Sequence, residues 1–193
     1  MKRTNSQKDG FTIMEAALVL GIAGMIFLMM LIALPALQRQ ARDTERREDV
    51  EHVLSKIKDF QTNNRGGLPG LEVPAPDELI SYVADGNPTE WTGFYHDYLG
   101  ENFVDPAGEE YKLKILQCGG HVASEACDNS SGVLQMVSDL NSKTFDEMVG
   151  TIYIVRQALC AGRESTGVVA SSNPRRIAIL YKMENSVLYC VNT

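Results

Sequence analysis

Charge is missing from one long stretch of this chain: no residue from Ala16 to Leu37 is acidic or basic. A helix of that composition has no polar face to turn to water, so the stretch belongs in lipid or in a wholly apolar interior. Histidine is scarce, with three residues, and there is no H-E-x-x-H metal motif. No Gly-rich phosphate loop and no G-x-S-x-G nucleophile turn occurs either, so no familiar catalytic constellation emerges. The four cysteines lack the C-x-x-C spacing of a zinc site, and only His121 lies close enough in sequence to complete one. Basic residues are outnumbered, 18 against 25, for a net charge of −7. That balance excludes the basic face of a general nucleic-acid binder. Proline and glycine are absent between Ala36 and Arg65, so nothing there interrupts a helix.

What is present begins with that uncharged run. At ~1.5 Å per residue it makes a helix roughly 33 Å long, enough to cross a bilayer core. Lys2, Arg3 and Lys8 precede it, which predicts a cytoplasmic N-terminus and an exported C-terminal part. Glu15 stands at the start of the run. A carboxylate at mid-bilayer costs about 2.5–3.5 kcal/mol on insertion scales, and less near the interface. Two readings follow: Glu15 rests at headgroup depth without a role, or it meets a cation once the helix packs against copies of itself. Cleavage before Phe11 would create such a cation four residues away. An alternative division makes the run the apolar part of a secretory signal cleaved after Ala36, but the run is long for one and Glu15 interrupts its start.

Gly10-Phe11-Thr12-Ile13-Met14-Glu15, with its basic leader and unbroken apolar helix, resembles the processing site of type IV pilins and pseudopilins. The resemblance covers residues 1 to about 60. It implies that a membrane prepilin peptidase removes residues 1–10, cutting between Gly10 and Phe11 and N-methylating Phe11. Glu15 becomes the assembly carboxylate, 11–37 the transmembrane and assembly helix, and 38–65 its amphipathic continuation. Residues 66–193 would be a globular head, with a connecting region over 66–110 and a sheet over 111–193. Many members of that family carry a helix-bending proline where this chain has Ile32; here the bend is expected at Pro35. The implied partners are copies of itself in a helical filament, the peptidase, an inner-membrane assembly platform, and membrane lipid before assembly. No cofactor, metal or nucleic acid is expected, and no enzymatic activity. The function implied is a pilus-like filament subunit. A pseudopilin of a type II secretion or DNA-uptake system is the alternative, and a membrane-anchored binding protein that never polymerises is a further one.

Beyond the run, Val50, Val53, Leu54, Ile57 and Phe60 fall on one helical face. Arg46, Glu48, Asp49, Glu51, Lys56 and Asp59 are expected on the opposite, solvated one, and the pairs Arg46-Arg47 and Arg175-Arg176 read as solvated charge. Gly66-Gly67-Leu68-Pro69-Gly70 ends the helix. Short helices are predicted over 77–84 and 89–99. In the second, Trp91, Phe94, Tyr95 and Tyr98 form a satellite core, with His96 at the surface. Asp77, Asp85 and Glu90 are loop carboxylates without the spacing of a known calcium loop. Asp105-Pro106-Ala107-Gly108 is a turn, and it resembles the one that opens the sheet in many pilins. Strands are predicted over 111–115, 150–159, 176–183 and 186–191, with a hairpin at Glu184-Asn185. The fold class expected is α+β, a long helix against a small antiparallel sheet of three or four strands. Four cysteines in an exported domain suggest two disulfides among three possible pairings. Cys118–Cys127 is favoured for its short Gly-rich loop, and Cys160–Cys190 as a link between two late strands.

Overall fold

A computed structural model describes residues 12–70, 80, 90–118, 145, 148–162, 167–185 and 187–193. One helix, α1, runs from Ile13 to Asn63 with Pro35 inside it. The chain divides into two compact units, Met1–Gln40 and Ala41–Thr193.

In the first unit α1 is long and apolar enough to cross a membrane, and none of its apolar span is buried within the protein. Leu31 is 68% exposed and Ile32 78%.

In the second unit α1 buries Asp43, Arg46, Val50, Val53, Leu54 and Ile57. Spacings of three, four and seven residues put these on one stripe. The helix ends in a reverse turn that uses its orphan carbonyls. Arg65 adopts a left-handed φ of 55° and the Gly66 N–H donates to the Gln61 carbonyl at 2.6 Å, the pattern that closes many helices.

The remaining elements are α2 (Glu90–Phe94), which continues into a π-helical turn (Tyr95–Leu99), and six strands. These are β1 (Lys112–Gln117), β2 (Thr151–Arg156), β3 (Ala158–Cys160), β4 (Val168–Ala170), β5 (Ile177–Lys182) and β6 (Leu188–Asn192). The main sheet has the order β1-β2-β5-β6, and β3 pairs with β4 in a separate ribbon. The expected all-antiparallel sheet is corrected: β1 and β2 are parallel, from Lys112↔Thr151 to Gln117↔Arg156, while β2–β5 and β5–β6 are antiparallel. A parallel neighbour needs a long crossover, and the chain between Gln117 and Thr151 is long enough to supply one. The hairpin at Glu184-Asn185 joins β5 to β6, and the Met183 N–H donates to the Val187 carbonyl at 2.9 Å.

Both faces of the sheet are covered. Leu113, Ile115, Ile152, Ile154, Ile177, Ile179, Tyr189 and Val191 pack with the α1 stripe and with Trp91, Phe94 and Tyr95. On the other face Val155, Ala178, Leu180, Leu188 and Cys190 pack with Ala158 of β3 and with Val168 and Ala170 of β4. Burial on two sides explains why β5 reads as a continuous run rather than an alternation. The predicted strand over 150–159 is split at Gln157, whose left-handed φ of 57° separates β2 from β3. Of the helix predicted over 77–84, only Ile80 is described. It exchanges two backbone hydrogen bonds with Leu113, at 2.9 and 2.8 Å, as a strand residue does.

Candidate functional site

Gly10 and Phe11 lie outside the described residues, and the first described position is Thr12. Thr12 caps α1. Its hydroxyl oxygen accepts from the Glu15 N–H at 3.2 Å, and its carbonyl accepts from the Ala16 N–H at 3.1 Å. The first four N–H groups of any helix lack intrahelical partners, and a threonine at this position satisfies one of them. Thr12-x-x-Glu15 is also the pattern of a capping box, but only its threonine half is made. Among the described residues the Glu15 carboxylate takes part in no hydrogen bond or ion pair. The Glu15 N–H is thus capped by Thr12 while the Glu15 carboxylate makes no capping bond, which leaves that carboxylate available. Further along, a Cβ added at Gly21 or Gly24 would meet nothing within 4 Å, so both glycines lie open on the surface of α1.

A second group of charges is buried in the unit Ala41–Thr193, and its key member departs from the expected solvated face. Arg46 is not on a solvated face: its side chain is 0% exposed. It holds Asp105 through two bonds, Nε to Oδ2 at 2.7 Å and Nη2 to Oδ1 at 2.9 Å. Its Nη1 reaches Glu184 at 2.9 Å and Asp43 at 3.3 Å, and the guanidinium lies 4.4 Å from the Phe145 ring centroid. Glu184 also accepts two bonds from Arg42, at 2.7 and 2.9 Å. Asp43 receives the Glu184 and Asn185 N–H groups, at 2.9 and 3.3 Å. Asp105 receives the Tyr181 hydroxyl and the Ala107 N–H, both at 2.8 Å. Arg47, the neighbour of Arg46, is half-buried beside the Tyr189 ring.

The electrostatics follow from this enclosure. Burial alone would raise the Asp105 carboxyl, but Arg46, the Ala107 N–H and Tyr181 outweigh it and hold the group below its ordinary value. Glu184 is lowered chiefly by its bonds from Arg42, then by Arg46 against the cost of burial. Arg46 moves up: burial works against its charge, and Asp105 and Glu184 overcome that. Asp49 moves up because burial dominates, although the Tyr111 hydroxyl donates to it at 2.8 Å. With this many partners the cluster fixes the turn Asp105–Gly108 and the β5–β6 hairpin onto the helix. Bidentate arginine–carboxylate geometry gives that contact direction as well as energy.

The position of Arg46 on the buried stripe is encoded in its spacing. Arg46 stands four, seven and eleven residues before Val50, Val53 and Ile57, on their own stripe. The Asp-Pro-x-Gly turn supplies the matching carboxylate, Asp105, from 59 residues away.

The other candidates scatter. Trp91, Phe94 and Tyr95 are core residues, and Tyr98 is partly buried against them. The Trp91 indole N–H is buried without a hydrogen-bond partner among the described residues. His96 is exposed. Cys160 and Cys190 form a disulfide with Cα atoms 5.9 Å apart. Cys118 is disulfide-bonded, while Cys127, Asp77, Asp85 and His121 lie outside the described residues, as does the side chain of Glu90. No group of three His, Cys, Asp or Glu that could hold a metal occurs among the described residues. A cavity of about 660 Å³ between α1 and β6 is lined by Glu51, Leu54, Ser55, Lys58, Cys160 and Cys190 among others.

Comparison with family models, with curated proteins and with solved structures finds no match.

Proposed function

We propose that this chain is a filament subunit of the type IV pilin kind, made as a membrane-anchored precursor and polymerised through the first half of α1. The observation that carries this reading is the combination at the start of the helix: an apolar surface with nothing of its own chain covering it, and one free carboxylate, Glu15. The leader with its Gly10-Phe11 junction supports the reading from the sequence.

In the precursor the run lies in lipid. Peptidase cleavage after Gly10 exposes the Phe11 amine. In the filament that cation meets Glu15 of a neighbouring copy. Each charge is costly alone in a dry interior and tolerable as a close pair. Ala17, Gly21 and Gly24 let helices approach closely. The same contact repeated head to tail generates an open helix rather than a closed ring. The chain's role is then structural rather than catalytic, and a pseudopilin would use the same steps.

N-terminal sequencing and mass measurement of the membrane-extracted protein test this. N-methyl-Phe11 is the expected start. An intact Met1 would favour a permanent anchor, and a start near Leu37 a secreted protein. Glu15→Ala is expected to insert normally and fail to enter filaments; wild-type filament yield from that variant would overturn the pairing.

A further inference from the structure

The turn Asn173–Arg176 presents an arginine with no acidic partner among the described residues, in an otherwise acidic chain. Asn173 Oδ1 accepts from the Arg175 N–H at 3.0 Å, and the Gln61 side chain donates to the Arg175 carbonyl at 2.9 Å. The backbone of Arg175 is thus held from both sides. Its guanidinium lies against the Cα of Gly66. A Cβ built there would come within 2.8 Å of Nη1, and Gly66 has a φ of +83°, so only glycine admits both the turn and the arginine. Arg176 is occupied differently, donating to the Thr193 carbonyl. Among the described residues no carboxylate pairs with the Arg175 guanidinium. Beside it is a cavity of about 250 Å³ lined by Gln61, Gly66, Asn173, Arg175, Arg176 and Thr193, and Arg65, next to Gly66, is exposed.

We propose that Arg175 is a docking cation for a carboxylate on a second copy of this chain, supplied by the exposed acidic face of that copy's α1. The occupant follows from charge. The chain has a surplus of acids, and Glu45, Glu48 and Asp59 of α1 are exposed and make no hydrogen bond or ion pair among the described residues. A basic patch on one region and an acidic helix face on another make a contact between different surfaces of identical copies. Such a contact propagates rather than closing on itself. The identification of the occupant as a second copy rests on the filament reading above. Charged contacts of this kind steer docking and set register more than they add affinity.

The test uses the full-length protein in membranes, with isotopically labelled and unlabelled copies mixed. Arg175→Lys keeps the charge and supplies an amine that a carbodiimide couples to any carboxylate in contact. Mass spectrometry then identifies the partner. The expected result is a link from position 175 to Glu45, Glu48 or Asp59 carried by a mixed-isotope peptide pair. Arg175→Glu is expected to lower association between copies severalfold, with the difference shrinking as salt is raised. Scoring filaments alongside the link, with Glu15 intact, separates the two ideas. A mixed-isotope link without filaments keeps this contact and removes the filament reading. Filaments without such a link remove this contact and keep the filament. Links only within one copy, or none at all, overturn the contact, as does a link to a phosphate-bearing molecule in its place.

Discussion

The first half of α1 keeps its large apolar side chains exposed, whereas the second half buries six residues, two of them charged. Hydrophobicity therefore does not sort the two halves into outside and inside. The more apolar half has no cover from its own chain, and the more polar half does. What distinguishes them is whether the rest of the fold supplies partners. From Ala41 onward a sheet face covers the apolar positions; Asp105 and Glu184 satisfy Arg46, and the Glu184 and Asn185 N–H groups satisfy Asp43. Ahead of that point the large apolar positions of α1 stay exposed.

The strongest way to break this contrast is to remove the buried cation. Arg46→Ala leaves Asp105 enclosed without its bidentate partner, and loss of about 3–5 kcal/mol is expected from that kind of change. A denaturant melt of the full chain in micelles, followed by a probe in the sheet such as Tyr181 fluorescence, reads it. A loss under about 1 kcal/mol would mean that the cluster is solvated in solution. A matched pair of deletions sharpens the contrast next. Ile57→Ala should cost about 2–5 kcal/mol in the same melt, and Leu31→Ala less than about 0.5 kcal/mol, as expected for an exposed position. Equal losses would show that both halves are covered by the chain itself.

Acid should act on the second half through its carboxylates. Asp105 and Glu184 are held low in the folded chain, so the unfolded chain takes up protons first as the pH falls. Their contribution is complete above the ordinary carboxylate value of about 4 and is lost as the pH drops through their folded values. Asp49, raised by burial, works the other way and gains on protonation. The expected outcome is a falling melt midpoint below about pH 4, with a shallower fall in Asp105→Asn. A local effect belongs to the start of the first half. Thr12→Ala should cost about 0.5–2 kcal/mol at the helix start and speed hydrogen exchange of the Glu15 and Ala16 amides, while Thr12→Ser restores protection. Unchanged exchange would remove the cap.

Much of this was legible in the residues because it rests on local periodicity. The uncharged run, the Val50–Ile57 face, the Trp91–Tyr98 cluster and the β5–β6 hairpin all follow from spacing and turn chemistry. What escaped depends on long-range pairing. Arg46 looked solvated because its sequence neighbours are acids; its real partners lie 59 and 138 residues away. The parallel β1–β2 pair escaped for the same reason, since strand direction is decided by the crossover and not by the strands. The division of 150–159 into β2 and β3 hangs on one backbone angle at Gln157, a residue type that gives no turn signal. Thr12 carried a capping signal that was overshadowed by the carboxylate three residues on.

The parallel pairing of β1 with β2 also sets an order of events for folding. β5 and β6 can close their hairpin over a few residues, and β2 can join it from the same end of the chain. β1 has to wait until the whole crossover has been laid down, because closing a long loop is slow relative to closing a hairpin. During that interval the outer edge of β2 is an unpaired template beside apolar residues such as Ile152 and Ile154, the kind of edge to which foreign strands add. The vulnerable moment for this chain is therefore late, when the sheet is three strands wide and its last strand has not yet returned.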